Sequence, residues 1–78
     1  NQPVALLLLG LIAHQVGKHD TAVDLIMKAL AIKPDYAEAH NNLGIVFKEL
    51  GKLDVAAASY HKALAVHVER LDALKGDR

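Results

Sequence analysis

Residues 37–52, AEAHNNLGIVFKELGK, repeat the layout of residues 4–18, VALLLLGLIAHQVGK. Both stretches contain Leu-Gly near the middle and end in Gly-Lys, and each of these pairs recurs at an interval of 34 residues. The segment KALA recurs at the same interval, at residues 28–31 and 62–65. A period of about this length is typical of stacked supersecondary units. The sequence therefore predicts two copies of one unit, the first of them far more apolar than the second.

Each copy is predicted to contain two helices. Pro3 suits the first turn of a helix, where its missing N–H costs nothing. Gly17 and Gly51 can adopt the left-handed conformation that ends a helix, and Pro34 prevents the second helix from continuing. Alanine and leucine, which favour helix, dominate the composition. These signals predict an all-α fold of two helical hairpins.

Two glycines are predicted to lie in helix interiors. Gly10 and Gly44 fall in the middle of the first and third helices, where Gly costs up to about 1 kcal/mol relative to Ala. Close contact between the two helices of each hairpin can offset that cost. We expect the contacts to be at Ala22 for Gly10 and at Ala56 for Gly44.

The C-terminal segment is predicted to be helical. From Leu64 onward the chain has no Pro, and no Gly before Gly76, and its apolar residues keep helical spacing. We expect the fourth helix to continue to about Lys75, with its last turns covering the open end of the array. The alternative is a separate capping helix that begins near Glu69.

The spacing resembles the tetratricopeptide repeat, a 34-residue helix-turn-helix unit. The second copy shows the pattern at His40, Leu43, Gly44, Phe47, Gly51, Ala56, Tyr60, Ala63 and Leu64, and the first at Leu6, Leu9, Gly10, Ala13, Gly17, Ala22, Ile26, Ala29, Leu30 and Pro34. The first copy lacks the aromatic residues, and the second lacks the closing Pro. The resemblance implies an α-α superhelical solenoid fragment with repeats at residues 3–36 and 37–70 and a C-terminal cap or tail at residues 71–78.

Composition and charge narrow the possible partners. The formal net charge is 0 at pH 7, whereas nucleic-acid binders usually gather an excess of Lys and Arg on one face. We therefore expect no nucleic-acid partner and no membrane partner. The apolar run at residues 4–13 lacks the basic leader of a signal peptide and has about half of the roughly 20 residues needed to cross a bilayer. We expect a cytoplasmic location and, because the chain begins with Asn1, a processed protein or a fragment.

Residue types that carry catalysis or bind metals are sparse. The chain has no cysteine, one serine and one threonine, and no histidine lies one helical turn from Ser59 or Thr21, so a nucleophile–base pair is not supported. The five histidines show neither an i,i+4 pair nor an HExxH motif. His40 is expected to be half-buried and the other histidines exposed. We expect no enzyme activity, no metal site and no cofactor.

The resemblance implies binding on a concave face lined by the first helix of each repeat. Carried over, this face comprises Glu38, Asn41, Asn42, Ile45, Lys48 and Glu49, with His14 and Gln15 from the first repeat. Related repeats use an asparagine at the position of Asn42, whose amide can both donate to and accept from a ligand's main chain. Leu8 is the equivalent in the first repeat, so the asparagine ladder is broken. The alternative is an ordinary solvated polar face.

The first helix is apolar on every side, and such a helix is normally buried on every side. Leu6, Leu9 and Gly10 are expected to pack on the second helix. The residues predicted to stay uncovered, and therefore to mediate self-association, are Val4, Leu7, Leu8 and Leu11. We expect a two-fold homodimer, with the first helix packed against its copy or against the partner's concave face, or else a contact with neighbouring repeats.

The leading hypothesis is a non-catalytic protein-interaction scaffold that binds a protein or peptide. The competing hypothesis is a slice of a longer array attached to an enzyme, because AEAHNNLG is also similar to repeats of O-linked N-acetylglucosamine transferases and of many bacterial repeat proteins. The third hypothesis is a metal- or cofactor-binding helical bundle.

Overall fold

The computed structural model describes residues 2–76, which form four helices and no strand. These are α1 (Pro3–Gln15), α2 (His19–Ile32), α3 (Ala37–Glu49) and α4 (Leu53–Gly76). Helices α1 and α2 form one hairpin, α3 and α4 form the second, and α3 packs chiefly against α2 and slightly against α1. The predicted all-α fold is confirmed. The division into repeats stays a prediction, and α4 crosses residues 70–71 without a break.

The two hairpin turns have the same geometry. Gly17 and Gly51 have φ values of 84° and 78°, in the left-handed region that glycine adopts without steric cost. In the first turn the Lys18 N–H donates to the Ala13 carbonyl at 2.8 Å, and the equivalent bond in the second turn is 2.9 Å. Each bond satisfies a carbonyl that the helix end would leave free. The predicted helix ends at both glycines are confirmed.

The first hairpin closes at Gly10. A Cβ atom at Gly10 would lie 2.8 Å from Ile26 Cγ1 and 3.3 Å from the Ala22 carbonyl oxygen. The expected close approach to Ala22 is therefore confirmed, with Ile26 as a second and closer partner. The cost of a glycine inside α1 is offset because α2 can pack directly against the α1 backbone.

In the second hairpin, α3 and α4 approach each other closely at Gly44, where the nearest residue is Tyr60. A Cβ atom at Gly44 would lie 2.7 Å from Cε1 of the Tyr60 ring. The aromatic ring therefore fills the space that the missing side chain leaves, and the expected contact with Ala56 stays a prediction. Tyr60 is half-buried as a result.

The main core is shared by the first three helices. It consists of Leu7, Ala13, Ala22, Ile26, Ala39, Leu43 and Val46. Leu7 is 5% exposed, so the expectation that nothing covers it is wrong, because α3 packs over this side of α1. Leu11 is also partly buried against the core. In contrast, Leu9 is 51% exposed, although it was expected to pack on α2.

Helix α4 is one unbroken helix of 24 residues. The predicted continuation to about Lys75 is confirmed within the described residues, and the alternative of a separate helix from Glu69 is wrong. The expectation that its last turns cover the array is also wrong, because residues 67–76 are all exposed. Helix α3 has only 13 residues. Helix α4 is therefore longer than α3, and its final turns extend beyond the end of α3.

The close approach at Gly44 generates a stability prediction. Gly44→Ala should lower the free energy of unfolding by about 1–2 kcal/mol, because overpacking costs about 1–3 kcal/mol and improved helix propensity returns less than about 1 kcal/mol. Urea unfolding followed by circular dichroism measures the change. Gly76→Ala is the control, since nothing lies within 4 Å of a Cβ atom there. Equal stability of wild type and Gly44→Ala would contradict the packing described for Tyr60.

Candidate protein-binding surface

An open groove lies between α3 and α4. Its volume is about 410 Å³. The α3 side consists of Ala37, Glu38, Asn41 and Asn42, and the α4 side of Tyr60, Ala63, Leu64, His67 and Arg70. The α4 side is therefore apolar at one end and polar at the other, and it lies opposite two amides and a carboxylate of α3. We call this surface the α3–α4 groove.

The predicted concave-face residues separate into two groups. Glu38, Asn41 and Asn42 line the α3–α4 groove, because they occupy the N-terminal half of α3. The predicted residues that do not line it are Ile45, Lys48 and Glu49 of α3 and His14 and Gln15 of α1. The structure thus brings together three of the eight predicted residues, and all three lie on adjacent turns of α3.

The α4 wall of the groove was missed in the sequence. Tyr60, Ala63, Leu64, His67 and Arg70 recur at intervals of three and four residues, which places them along one side of a helix. The sequence assigned Tyr60, Ala63 and Leu64 to the repeat pattern and predicted the length of the helix, but it did not indicate that this side of α4 faces α3.

Two of the histidines contact each other across the first turn. His14 Nδ1 and His19 Nδ1 lie 3.0 Å apart, so one ring donates the hydrogen bond and the other accepts it. Both residues are half-buried, and the expectation that they are exposed is wrong, because the turn folds His19 back over α1. Within residues 2–76 no group of three or more His, Cys, Asp or Glu side chains is placed to share a metal ion.

His40 links α3 to the connection between the hairpins. Its ring is half-buried, as expected, and its Nε2 donates to the Pro34 carbonyl oxygen at 2.8 Å. The imidazole therefore ties the first turn of α3 to the connection that follows α2. This contact gives His40 a structural role.

A second uncovered surface runs along the outside of α1. Its members, each at least half exposed, are Val4, Leu8, Leu9, Ile12 and Val16. We call this set the α1 stripe. Of the residues predicted to mediate self-association, Val4 and Leu8 belong to it. Leu7 and Leu11 do not, because they face α3 and the core.

The comparisons with known proteins agree with this architecture. A profile of the family described as Tetratricopeptide repeat matches residues 1–67. The chain belongs to the tetratricopeptide repeat family. None of the curated proteins matches its sequence.

Two solved structures of MamA are similar to the chain. The first superposes with a TM-score of 0.86 at 28% identity, over 90% of this chain and 41% of the MamA chain. The second gives a TM-score of 0.81 at 28% identity, over 90% of this chain and 38% of that one. The chain thus spans about two fifths of the MamA chains it matches. Among residues 2–76, every helix is too short or too polar to traverse a lipid bilayer.

The placement of two leucines on α1 generates a prediction that uses one as the control for the other. Leu7→Ala should lower the free energy of unfolding by about 2–5 kcal/mol, because it opens a cavity in the core. Leu9→Ala should change it by about 0.5 kcal/mol or less at concentrations where the chain is monomeric, as for other surface substitutions. Urea unfolding of both variants measures the difference. Similar losses in both would show that the assigned inner face of α1 is wrong.

Proposed function

We propose that this tetratricopeptide repeat chain is a non-catalytic protein-interaction scaffold with two binding surfaces. A segment of a partner protein binds in the α3–α4 groove, and copies of the chain associate through the α1 stripe. The observation that carries the proposal is the composition of the groove, in which Tyr60, Ala63 and Leu64 of α4 provide apolar surface opposite the amide side chains of α3. Pockets that bind ligands combine apolar area with a few placed polar groups in this way.

The polar side of the groove suits a polypeptide main chain. Asn41 and Asn42 each offer two amide donors and one carbonyl acceptor, so they can pair with peptide N–H and C=O groups whatever the partner's sequence. Ala63 and Leu64 provide apolar contact for its side chains. Glu38 and Arg70 carry opposite charges within the same groove, which favours a partner segment of mixed charge over a uniformly charged one.

The rest of the predicted concave face extends this surface along α3. Ile45, Lys48 and Glu49 are exposed beyond the groove, and Gln15 is exposed at the end of α1. A partner longer than the groove would meet these side chains next. His14 has a weaker claim to this role, because its ring is engaged with His19.

The α1 stripe supplies the second surface. Full burial of one Val, Leu or Ile side chain contributes about 1.5–3 kcal/mol, so a half-exposed one contributes about 1 kcal/mol when covered. The five stripe residues together with the apolar residues they meet on a partner therefore supply roughly 5–10 kcal/mol. Association itself costs an estimated 4–15 kcal/mol. The balance favours weak, concentration-dependent association.

One observation also fits the alternative that the chain is part of a longer repeat array, such as one attached to a glycosyltransferase. The chain spans 41% and 38% of the two MamA chains, and the outer surfaces of α1 and α4 are both open. In a longer array, flanking repeats that belong to the same chain would cover these surfaces. A mass measurement of the native protein from its source distinguishes the two, since a longer array gives a mass well above 8.4 kDa under denaturing conditions.

The groove proposal generates a binding prediction. Peptides selected from a random library on the immobilised chain should lose affinity when Asn41 and Asn42 are both changed to Ala. Each lost hydrogen bond costs about 0.5–1.5 kcal/mol, so the double variant should bind roughly 5- to 150-fold more weakly. Isothermal titration calorimetry measures the change. Lys28→Ala on α2 is the control and should leave the affinity unaltered.

Two results would count against the groove. One is a failure to select any peptide from the library at micromolar affinity. The other is a selected peptide whose affinity is the same for wild type and for the Asn41→Ala, Asn42→Ala variant while both keep the same helicity.

A further inference from the structure

The α1 stripe has an equivalent inside the molecule. Helix α3 docks on the first hairpin through three residues that are buried, namely Ala39, Leu43 and Val46. The residues 34 positions earlier are Ala5, Leu9 and Ile12, and all three are exposed on α1. Helix α1 therefore presents the same docking face as α3, and no hairpin within residues 2–76 covers it.

The α3–α4 groove also has an equivalent inside the molecule. The first hairpin receives α3 with Leu7 and Ile26, which share one buried cluster with the α3 residues, and Ala29, one turn beyond Ile26 on α2, is also buried. The residues 34 positions later are Asn41, Tyr60 and Ala63, and all three line the groove. The groove is therefore the receiving surface of the second hairpin, and none of the helices within residues 2–76 docks in it.

We propose that α1 of a second copy of this chain docks in the α3–α4 groove, in the orientation that α3 adopts on α1 and α2. The proposal rests on the proposed function and names the partner of the groove. The docking face of α1 carries no charged residue, and the centre of the α4 wall is apolar at Ala63 and Leu64. A second copy qualifies as the occupant because one chain displays both halves of an interface that it already forms internally.

The docking has a consequence for assembly. The two surfaces are different and lie on opposite ends of the chain, so the contact is heterologous and each docked copy leaves a new groove free. Copies should then add head to tail into an open chain. A two-fold pair with α1 against α1 would instead close after two copies.

One substitution between the two hairpins weakens the contact. Asn41 occupies the position that Leu7 occupies in the internal interface, so docking places an amide where the internal contact has an apolar side chain. Burying an amide without a full set of hydrogen bonds is unfavourable. The contact between copies should therefore be weaker than the internal one, and reversible.

The test uses two variants that block one surface each. Leu9→Glu with Ile12→Glu blocks the docking face, and Leu64→Glu with His67→Glu blocks the groove. All four residues are exposed, so the variants should keep wild-type helicity by circular dichroism. Met27→Glu, an exposed apolar position on α2 outside both surfaces, is the matched control.

Sedimentation equilibrium up to roughly millimolar concentration measures the mass in solution, which shows whether copies associate. Wild type and Met27→Glu should rise above the 8.4 kDa of one chain and continue past twice that mass. Each blocked variant alone should stay monomeric. An equimolar mixture of the two should form one-to-one pairs and no larger species, because it contains one intact docking face and one intact groove per pair.

Different outcomes overturn different proposals. If the groove variant alone still forms dimers while the α1 variant does not, copies pair through α1 against α1, and head-to-tail docking is wrong. If wild type stays at 8.4 kDa, docking of a second copy and self-association are both wrong. Retained binding of a library peptide would then leave the groove's role intact, whereas loss of that binding as well would remove the proposed function.

A single substitution should strengthen the contact. Asn41→Leu restores the residue found in the internal interface, and we expect it to lower the dissociation constant for self-association at least tenfold. The same substitution should not increase the mass of the Leu9→Glu, Ile12→Glu variant. A higher mass for that variant would show that Asn41→Leu creates a new apolar surface that associates nonspecifically, instead of improving the proposed docking.

Discussion

The contact on which the structure depends is the close approach of paired helices at a glycine. Gly10 lets α2 reach the backbone of α1, and Gly44 lets the Tyr60 ring lie against α3. At this spacing there is no room for a side chain at the glycine itself, because Ile26 or the Tyr60 ring of the facing helix already occupies that space. Each hairpin also has large apolar residues on its other sides, and a neighbouring hairpin is needed to bury them.

The packing of α3 on α1 and α2 buries one apolar side of the first hairpin. Leu43 and Val46 enter the same cluster as Leu7 and Ile26, so the second hairpin covers one side of the first. The same relation requires a receiving side on the second hairpin and a docking side on the first. Both are exposed in one isolated chain, as the α3–α4 groove and the α1 stripe. The similarity to MamA over 90% of the chain shows that this stacking is shared with a larger protein.

Much of the fold could be predicted from the sequence because the signals were local. A glycine followed by lysine at the end of an apolar stretch indicated each hairpin turn, and φ at Gly17 and Gly51 agrees. The absence of Pro after Leu64 indicated the long fourth helix, which runs to Gly76. Signals of this kind depend on one or two residues and on the backbone geometry that those residues favour.

The orientation of α1 could not be predicted from its own sequence. A helix apolar on every side has no periodic pattern that distinguishes its inner face, so Leu7 was assigned outward and Leu9 inward, the reverse of what the structure shows. The polar residues of α3 indicate the wrong faces of α1, because equivalent residues of the two helices have different neighbours. Asn41 is exposed in the open groove, whereas its equivalent Leu7 is covered by α3. Leu43 is buried against the first hairpin, whereas its equivalent Leu9 is exposed. The α4 wall was missed for a related reason, since it becomes a surface only when α3 lies beside it.

We propose that one mode of helix docking operates both within the chain and between copies. The chain has no cysteine, so single cysteines introduced at exposed positions can report it directly through a short bismaleimide cross-linker. The measurement is the yield of cross-linked dimer for Leu9→Cys, for Leu64→Cys and for their equimolar mixture. Docking of α1 in the α3–α4 groove of a second copy predicts a high yield in the mixture and little in either variant alone. Efficient cross-linking of Leu9→Cys with itself, and none in excess of that in the mixture, would contradict it.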